Sequence, residues 1–204
     1  MFVFDVIKLI ISSDFSHLAD LKTETYKFGM LKHMVVPTSK EVKMKPEDMI
    51  VSKTDIKGHI TYCNDAFMEF AGYYEEELLG QSHSIIRHPD MPRAVFRLLW
   101  NNLHEEEEFF GFIKNMCKDG SFYWTYSNIF LNFGAENELL GYMSVRRYPP
   151  VEGVEFFQNL YQKMLEVESQ YEGSREGMDA SWSLLQEVVS EKGGYDQYVC
   201  SYFK

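Results

Sequence analysis

The fold is decided by residues 109–132, FFGFIKNMCKDGSFYWTYSNIFLN. Two aromatic-rich runs, 109–117 and 122–132, flank the tetrapeptide KDGS at 118–121. An Asp-Gly pair between such runs predicts a β-hairpin. After a short turn a third apolar run follows at 139–147. Three consecutive strands with short connections predict an antiparallel sheet.

Two further strands and several short helices precede the hairpin. Residues 49–54 and 59–63 are predicted strands that are joined by a tight turn. Asn64 is a good N-cap for a short helix that ends at Gly72, and a second short helix is predicted at 75–79. A five-stranded antiparallel sheet with the helices on one face is the natural packing, which is α+β. We expect a ligand pocket between the sheet and the short helices.

The chain divides into three segments where its composition changes. Residues 1–47 are an apolar run followed by a charged linker at 37–46. Residues 48–148 carry the strands and short helices, and residues 149–204 have apolar side chains at helical spacing. Met34 could equally be a start codon, so the first 33 residues are compatible with a cap or an extension.

Composition excludes several classes of protein. The net charge of −11, from 31 acidic and 20 basic residues, argues against nucleic acid and anionic membranes as partners. Cys63, Cys117 and Cys200 lack metal-ligand spacing and are typical of reduced cysteines in a cytosolic protein. The apolar run at 1–11 is too short to span a bilayer. We therefore expect a cytoplasmic protein that does not insert into a membrane.

The segment 87–92, RHPDMP, has the composition of an anion site. Asp90 is placed to cap a helix predicted over 91–103, with the second proline in its first turn. Arg87 and His88 would then lie beside a helix N-terminus, which favours an anion. On the local pattern alone the simpler interpretation is favoured, in which Asp90 caps and both basic side chains are solvated.

Several strings within residues 48–148 match a known family. They are Thr54-Asp55, Tyr62-Cys63-Asn64-Asp65-Ala66-Phe67, Ala71-Gly72-Tyr73, Glu77-Leu78-Leu79-Gly80-Gln81, Ile86-Arg87-His88-Pro89-Asp90-Met91-Pro92 with Phe96 and Trp100, Lys114-Asn115, Lys118-Asp119-Gly120-Ser121-Phe122-Tyr123-Trp124, and Gly141-Tyr142-Met143-Ser144-Val145-Arg146. On these strings the segment resembles a PAS sensor domain, and among those the flavin-binding PAS domains of bacterial aerotaxis and energy-taxis proteins. The Arg-His-Pro-Asp-Met-Pro string is the most specific part of the resemblance.

The resemblance implies a redox or oxygen sensor that carries FAD. The cofactor-binding candidates that it implies are Asn64, Arg87, His88, Asp90, Phe96, Trp100, Phe109 and Asn115. Arginine and histidine suit a diphosphate, and an asparagine amide can pair with the carbonyl and imide edges of a flavin. Asn115 shares a predicted strand face with apolar neighbours, but it could also be a sheet amide without a ligand.

This chain departs from the taxis family at two places. It has Phe109 where the family usually carries tryptophan, and Met116 where the family usually carries arginine. The loss of the indole ring at Phe109 weakens stacking on a flavin. Taxis transducers also continue into a membrane segment and a signalling rod, and nothing like these is found here. The chain thus resembles stand-alone members, which implies a homodimer that signals in trans to a taxis transducer, kinase or cyclase. The C-terminal segment from Val154 to Glu168 is the predicted output surface.

Other functions are weighed against this one. The common nucleophile, P-loop and metalloprotease motifs are absent, so an enzyme is not predicted. A haem-binding PAS sensor would need an axial ligand, for which His104 is the candidate. A blue-light flavin sensor would need a cysteine within 84–92, and there is none. A ligand-free PAS domain used for dimerisation or docking is the last alternative.

Overall fold

The computed structural model describes residues 35–203, and the expectations for residues 1–33 lie outside this range. One antiparallel sheet has the strand order β2-β1-β5-β4-β3. Its strands are β1 (Met49–Asp55), β2 (Ile60–Cys63), β3 (Phe109–Met116), β4 (Phe122–Phe133) and β5 (Leu139–Arg147). The predicted α+β class with a five-stranded antiparallel sheet is confirmed.

Six α-helices and one 3₁₀ helix accompany the sheet within the described residues. They are α1 (Asp65–Ala71), α2 (Glu75–Leu78), the 3₁₀ helix (His83–Ile86), α3 (Arg93–His104), α4 (Val151–Ser169), α5 (Ser174–Ser190) and α6 (Tyr195–Cys200). Across residues 35–203, none of these helices combines the length and apolar character that a membrane crossing requires.

Local sequence signals explain several element boundaries. The Asn64 side chain accepts a hydrogen bond from the main-chain N–H of Phe67, as predicted for the N-cap of α1. Gly72 ends this helix in the left-handed region with φ 73°, where a side chain would be strained. Gly120 has φ 85° in the turn between β3 and β4, which confirms the Asp-Gly hairpin.

Helices cover the sheet from two directions. The first helices pack apolar side chains against β1 and β2, and this cluster includes Ile50, Ile60, Phe67, Leu78 and Ile86. The C-terminal helices pack around β3, which is an edge strand of the sheet. Phe157 of α4 stacks on Phe112 with ring centroids 4.9 Å apart, and the Tyr161 hydroxyl donates to the Phe112 carbonyl at 2.9 Å. These contacts fix α4 beside β3.

The residues predicted as a charged linker, 37–46, run along the hairpin. The N–H of Thr38 donates to the Gly120 carbonyl at 2.8 Å, and the N–H of Val42 donates to the Phe122 carbonyl at 2.7 Å. Met44 is buried in the same cluster as Ile50. This segment is therefore part of the packed structure around the sheet.

Candidate ligand site

The loop at 87–92 runs along the outer edge of β3. Arg87 forms an isolated antiparallel bridge with Asn115, so these two predicted site residues are neighbours. The N–H of Lys114 donates to the sulfur of Met91 at 3.3 Å, so the neighbouring residue of the strand holds the same loop at a second point. The sheet edge thereby positions the loop.

The predicted cap of α3 is wrong. The helix begins at Arg93, and Asp90 instead forms an ion pair with the Lys114 ammonium at 2.6 Å. The carboxylate of Glu168 on α4 accepts hydrogen bonds from the main-chain N–H groups of Arg93 at 3.0 Å and Ala94 at 3.4 Å. A carboxylate satisfies the free N–H groups of a helix N-terminus, and there it also meets a favourable dipole. The anion expected at this helix is thus supplied by the chain itself.

The Arg87 guanidinium is held on an aromatic ring. Its carbon lies 3.9 Å from the ring centroid of Phe96, and Nη2 donates to the Met91 carbonyl at 3.3 Å. Burial lowers the pKa of Arg87 to about 10, so the group stays charged at neutral pH. No carboxylate within residues 35–203 forms an ion pair with Arg87, although Glu168 is close enough to act on its pKa. This half-buried charge is free to meet a ligand.

His88 is buried and uncharged at neutral pH. Burial, with a smaller contribution from the Lys114 charge, lowers its pKa to about 4. Nδ1 accepts a hydrogen bond from the main-chain N–H of Asp90 at 3.1 Å, so the proton of the neutral ring belongs on Nε2. Nε2 is buried and has no partner within the described residues. His88 could therefore give a ligand a hydrogen bond but not a positive charge.

A row of buried polar side chains crosses the side of the sheet that faces α1 and the 3₁₀ helix. The Asn115 amide nitrogen donates to the hydroxyl of Thr125 at 3.2 Å, and that hydroxyl lies 2.9 Å from the Ser127 hydroxyl. The row continues on β5 and β1, where strand pairing places Ser144 opposite Ser52. Its members are Asn115, Thr125, Ser127, Ser144, Arg146 and Ser52, each less than a tenth exposed. Such a row is unusual in a sheet core, where apolar side chains are the norm.

Three hydroxyl groups on this side of the sheet are buried without a hydrogen-bond partner in residues 35–203. They belong to Thr54 on β1, Tyr123 on β4 and Ser144 on β5. Unpaired buried polar groups are costly, so each calls for an explanation such as a ligand. Hydroxyl, amide and guanidinium groups together match the carbonyl and imide edge of a flavin. The residues present therefore fit the cofactor that the resemblance implies.

Several predicted site residues have other surroundings. The Asn64 side chain is engaged by the main chain, since it accepts from the Val51 N–H at 2.9 Å and donates to the Met49 carbonyl at 2.9 Å. Trp100 meets Tyr142 edge to face, with ring centroids 5.2 Å apart. Asn64, which follows β2 in the chain, thus bonds to the main chain of β1 and lies outside the polar row.

The surroundings of Phe109 and His104 bear on which cofactor the domain can bind. Phe109 is fully buried, and Tyr195 of α6 stacks on it with ring centroids 6.0 Å apart. Tyr195 lies within the segment 149–204, which was predicted to be helical, but its contact with Phe109 was not predicted. His104, the proposed haem ligand, is exposed at the C-terminal end of α3. An axial haem ligand needs a sheltered position, so this placement argues against haem.

The hairpin borders a cavity that lies apart from the polar row. A cavity of about 330 Å³ opens beside the hairpin and is lined by Gly72, Cys117 and Lys118 among others, but by none of the predicted site residues. Within residues 35–203 no group of three or more His, Cys, Asp or Glu side chains could hold a metal ion. The polar row and the loop at its edge are therefore the strongest candidates.

Sequence comparison gives the family. Residues 60–146 match the family model described as the PAS fold. The chain contains a PAS domain. It is 35% identical over 127 residues to the aerotaxis receptor of Escherichia coli K12, a match that covers 62% of this chain and 25% of the receptor. It is 29% identical over 97 residues to the nitrogen fixation regulatory protein of Klebsiella pneumoniae, which covers 48% of this chain and 20% of that protein. The predicted family is confirmed, and the chain spans about a quarter or less of these relatives.

The chain is also similar to solved structures of light-oxygen-voltage domains. A structure from a flavin-analogue study of a light-oxygen-voltage domain has a TM-score of 0.47 at 21% identity, and the match covers 56% of this chain and 86% of that one. The dark structure of the blue-light photoreceptor Aureochrome1 LOV has a TM-score of 0.46 at 14% identity, and here the match covers 59% of this chain and 86% of that one.

Proposed function

We propose that this PAS domain is a flavin-binding redox sensor and that its cofactor is FAD. The observation that carries the proposal is the set of three buried hydroxyls without partners, on Thr54, Tyr123 and Ser144. A flavin brings hydrogen-bond donors and acceptors on one rigid edge, which would satisfy groups that the protein leaves open. The likeness to the aerotaxis receptor supports the same conclusion. A bound flavin supplies electron acceptance, and the protein positions it and tunes its electronics.

The surroundings of Arg87 favour a flavin that carries phosphate. Its charge is half-buried at the edge of β3 and has no carboxylate partner within the described residues. The N-terminus of α3 is already occupied by Glu168, so the diphosphate of FAD relies on Arg87 more than on the helix. His88 adds an uncharged N–H donor nearby.

The signal leaves the domain through α4. This helix follows β5 directly, and its Glu168 reaches back to the start of α3, beside the loop that carries Arg87. A change at the cofactor that moves the loop therefore acts on α4 without crossing the sheet. The partner is a separate cytoplasmic signalling protein, such as a taxis transducer, a kinase or a cyclase, and the sensor acts as a homodimer.

An absorption spectrum of the purified protein tests the cofactor. We expect the visible bands of an oxidised flavin, either as purified or after reconstitution with FAD. FMN and haemin are titrated in parallel, since a preference for FAD supports the role of a diphosphate. A Soret band would favour the haem alternative, and failure to take up any of the three would favour a ligand-free docking module.

A further inference from the structure

Arg146 on β5 is a buried cation between the sheet and the short helices. The residue is 3% exposed. Nη1 donates to the Ser52 hydroxyl at 3.2 Å, and Nη2 lies 2.8 Å from Nε2 of His83 in the 3₁₀ helix. The guanidinium carbon is 5.5 Å from the ring centroid of Phe67 on α1. Three elements therefore enclose this one charge.

The partners of Arg146 do not neutralise it. A guanidinium only donates hydrogen bonds, so Nε2 of His83 must accept, which requires a neutral imidazole. Burial and the Arg146 charge lower the pKa of His83 to about 3, in agreement with that protonation state. Ser52 is neutral, and no carboxylate within residues 35–203 pairs with Arg146. A buried charge without a counter-charge is strongly unfavourable for folding.

Open hydroxyls lie around the same charge. Ser144 is two residues before Arg146 on β5, so both side chains lie on the same side of the sheet. Tyr123 is close enough for the two groups to influence each other's pKa values. The hydroxyls of Ser144 and Tyr123 have no partner within the described residues. One buried cation and two free hydroxyls thus converge on a common region.

We infer that Arg146, together with Ser144 and Tyr123, binds the carbonyl-bearing ring edge of the flavin. This inference rests on the proposed function. A ring edge is rich in acceptors and carries little net charge, which suits a single guanidinium with no access to water. A diphosphate keeps its negative charge near solvent and is better served by the half-buried Arg87. The buried Arg146 thus binds the ring edge, and the half-buried Arg87 binds the diphosphate.

Substitution of Arg146 should have opposite effects on stability and on ligand binding. In Arg146→Met the Ser52 hydroxyl can still form a hydrogen bond with Nε2 of His83, since the two atoms lie 3.0 Å apart. The ligand-free variant should therefore be as stable as the wild type or more stable, with a rise in Tm of about 2–4 °C for each kcal/mol gained. Flavin affinity should fall by about tenfold to a hundredfold because a charge-assisted contact is lost. An arginine with a purely structural role would lower the stability instead.

The experiment titrates the full chain with FAD and with riboflavin, which lacks phosphate. Arg147→Met is the matched control, because Arg147 is the next residue and is exposed. We expect Arg146→Met to weaken both ligands by the same factor, Arg146→Lys to restore part of the loss, and Arg87→Ala to weaken FAD alone. Wild-type affinity for riboflavin in Arg146→Met, or a loss of ligand-free stability in that variant, would overturn the inference.

Failure of the proposed function is distinguishable from failure of the inference. If the wild type binds neither FAD nor riboflavin, flavin sensing is wrong and Arg146 cannot hold a flavin edge. If the wild type binds both and Arg146→Met binds both equally well, flavin sensing stands and the role of Arg146 is wrong.

Discussion

The carboxylate of Glu168 holds Arg93 through two hydrogen bonds of 3.0 Å, one from its main-chain N–H and one from its guanidinium Nε. The two residues are 75 positions apart in the chain. Glu168 is buried, and the contact ties the end of α4 to the start of α3. The start of α3, which directly follows the predicted sensing loop, is thus attached to the predicted output helix.

Glu168→Gln should lower the free energy of unfolding by about 1–2 kcal/mol, because a neutral amide loses the favourable charge at the helix N-terminus. Chemical denaturation of the purified variant measures this loss. Glu166→Gln is the control, since Glu166 lies on the same helix but is exposed, and its effect should stay within about 0.5 kcal/mol. Equal stability of the two variants would contradict a structural role for the Glu168 contact.

Arg87→Ala should reduce the flavin content of the purified protein far more than Lys53→Ala, a control on β1. The charge that meets the ligand phosphate is lost in the first variant and not in the second. Arg87 also lies on the ring of Phe96, so ligand-free stability is measured in parallel and Arg87→Lys is included. Equal flavin content in the alanine variants would exclude Arg87 from the site.

The stability of the ligand-free protein should fall as the pH decreases from about 6.5 toward 4. Folding lowers the pKa of His83 to about 3 and that of His88 to about 4, from an ordinary value of about 6.5. Between these values the unfolded chain binds more protons than the folded one, so the stability present at neutral pH is lost on acidification. Denaturation midpoints measured at several pH values test this.

His83→Gln should flatten the same pH profile, because glutamine keeps an acceptor for Arg146 and does not titrate in this range. His104→Gln serves as the control at an exposed position. If the His83 variant keeps the full pH dependence of the wild type, that dependence comes from other groups.

Reduction of the bound flavin should change hydrogen exchange in the C-terminal helices. Oxidised and dithionite-reduced protein are compared, and we expect the largest difference where Glu168 meets α3. Any such coupling requires two states that differ in this contact. Identical protection across residues 151–192 in the two redox states would rule out the output route through α4.

Local signals in the sequence were sufficient for most of the fold. The Asp-Gly turn and the Asn64 cap depend on residues that are adjacent in the chain, and both occur where predicted. Glu168 could not be assigned to α3 in this way, because a cap from a distant helix leaves no local pattern. The predicted cap, Asp90, is drawn instead to Lys114, which only the folded strand brings near.

The candidate site was predicted in part for the same reason. The resemblance points to Arg87 and Asn115, and the structure makes them neighbours. Arg146 and His83 were missed because each is unremarkable in its own segment, and their contact depends on how β5 meets the 3₁₀ helix. Alternating small polar residues in β4 and β5 were the available signal, since sheet positions that face a core are usually apolar.

The exposed edges of the sheet are largely closed to strand addition. On β3 the Phe112 carbonyl accepts a hydrogen bond from the Tyr161 hydroxyl, and the Lys114 N–H donates to the sulfur of Met91. On β2, which is four residues long, the main-chain groups of Ile60 bond to Gly80 and Gln81. An intruding chain therefore finds few free main-chain groups with which to extend the sheet. These contacts disfavour edge-to-edge pairing with a second sheet and leave the side chains of the faces and helices as the surface that a partner can recognise.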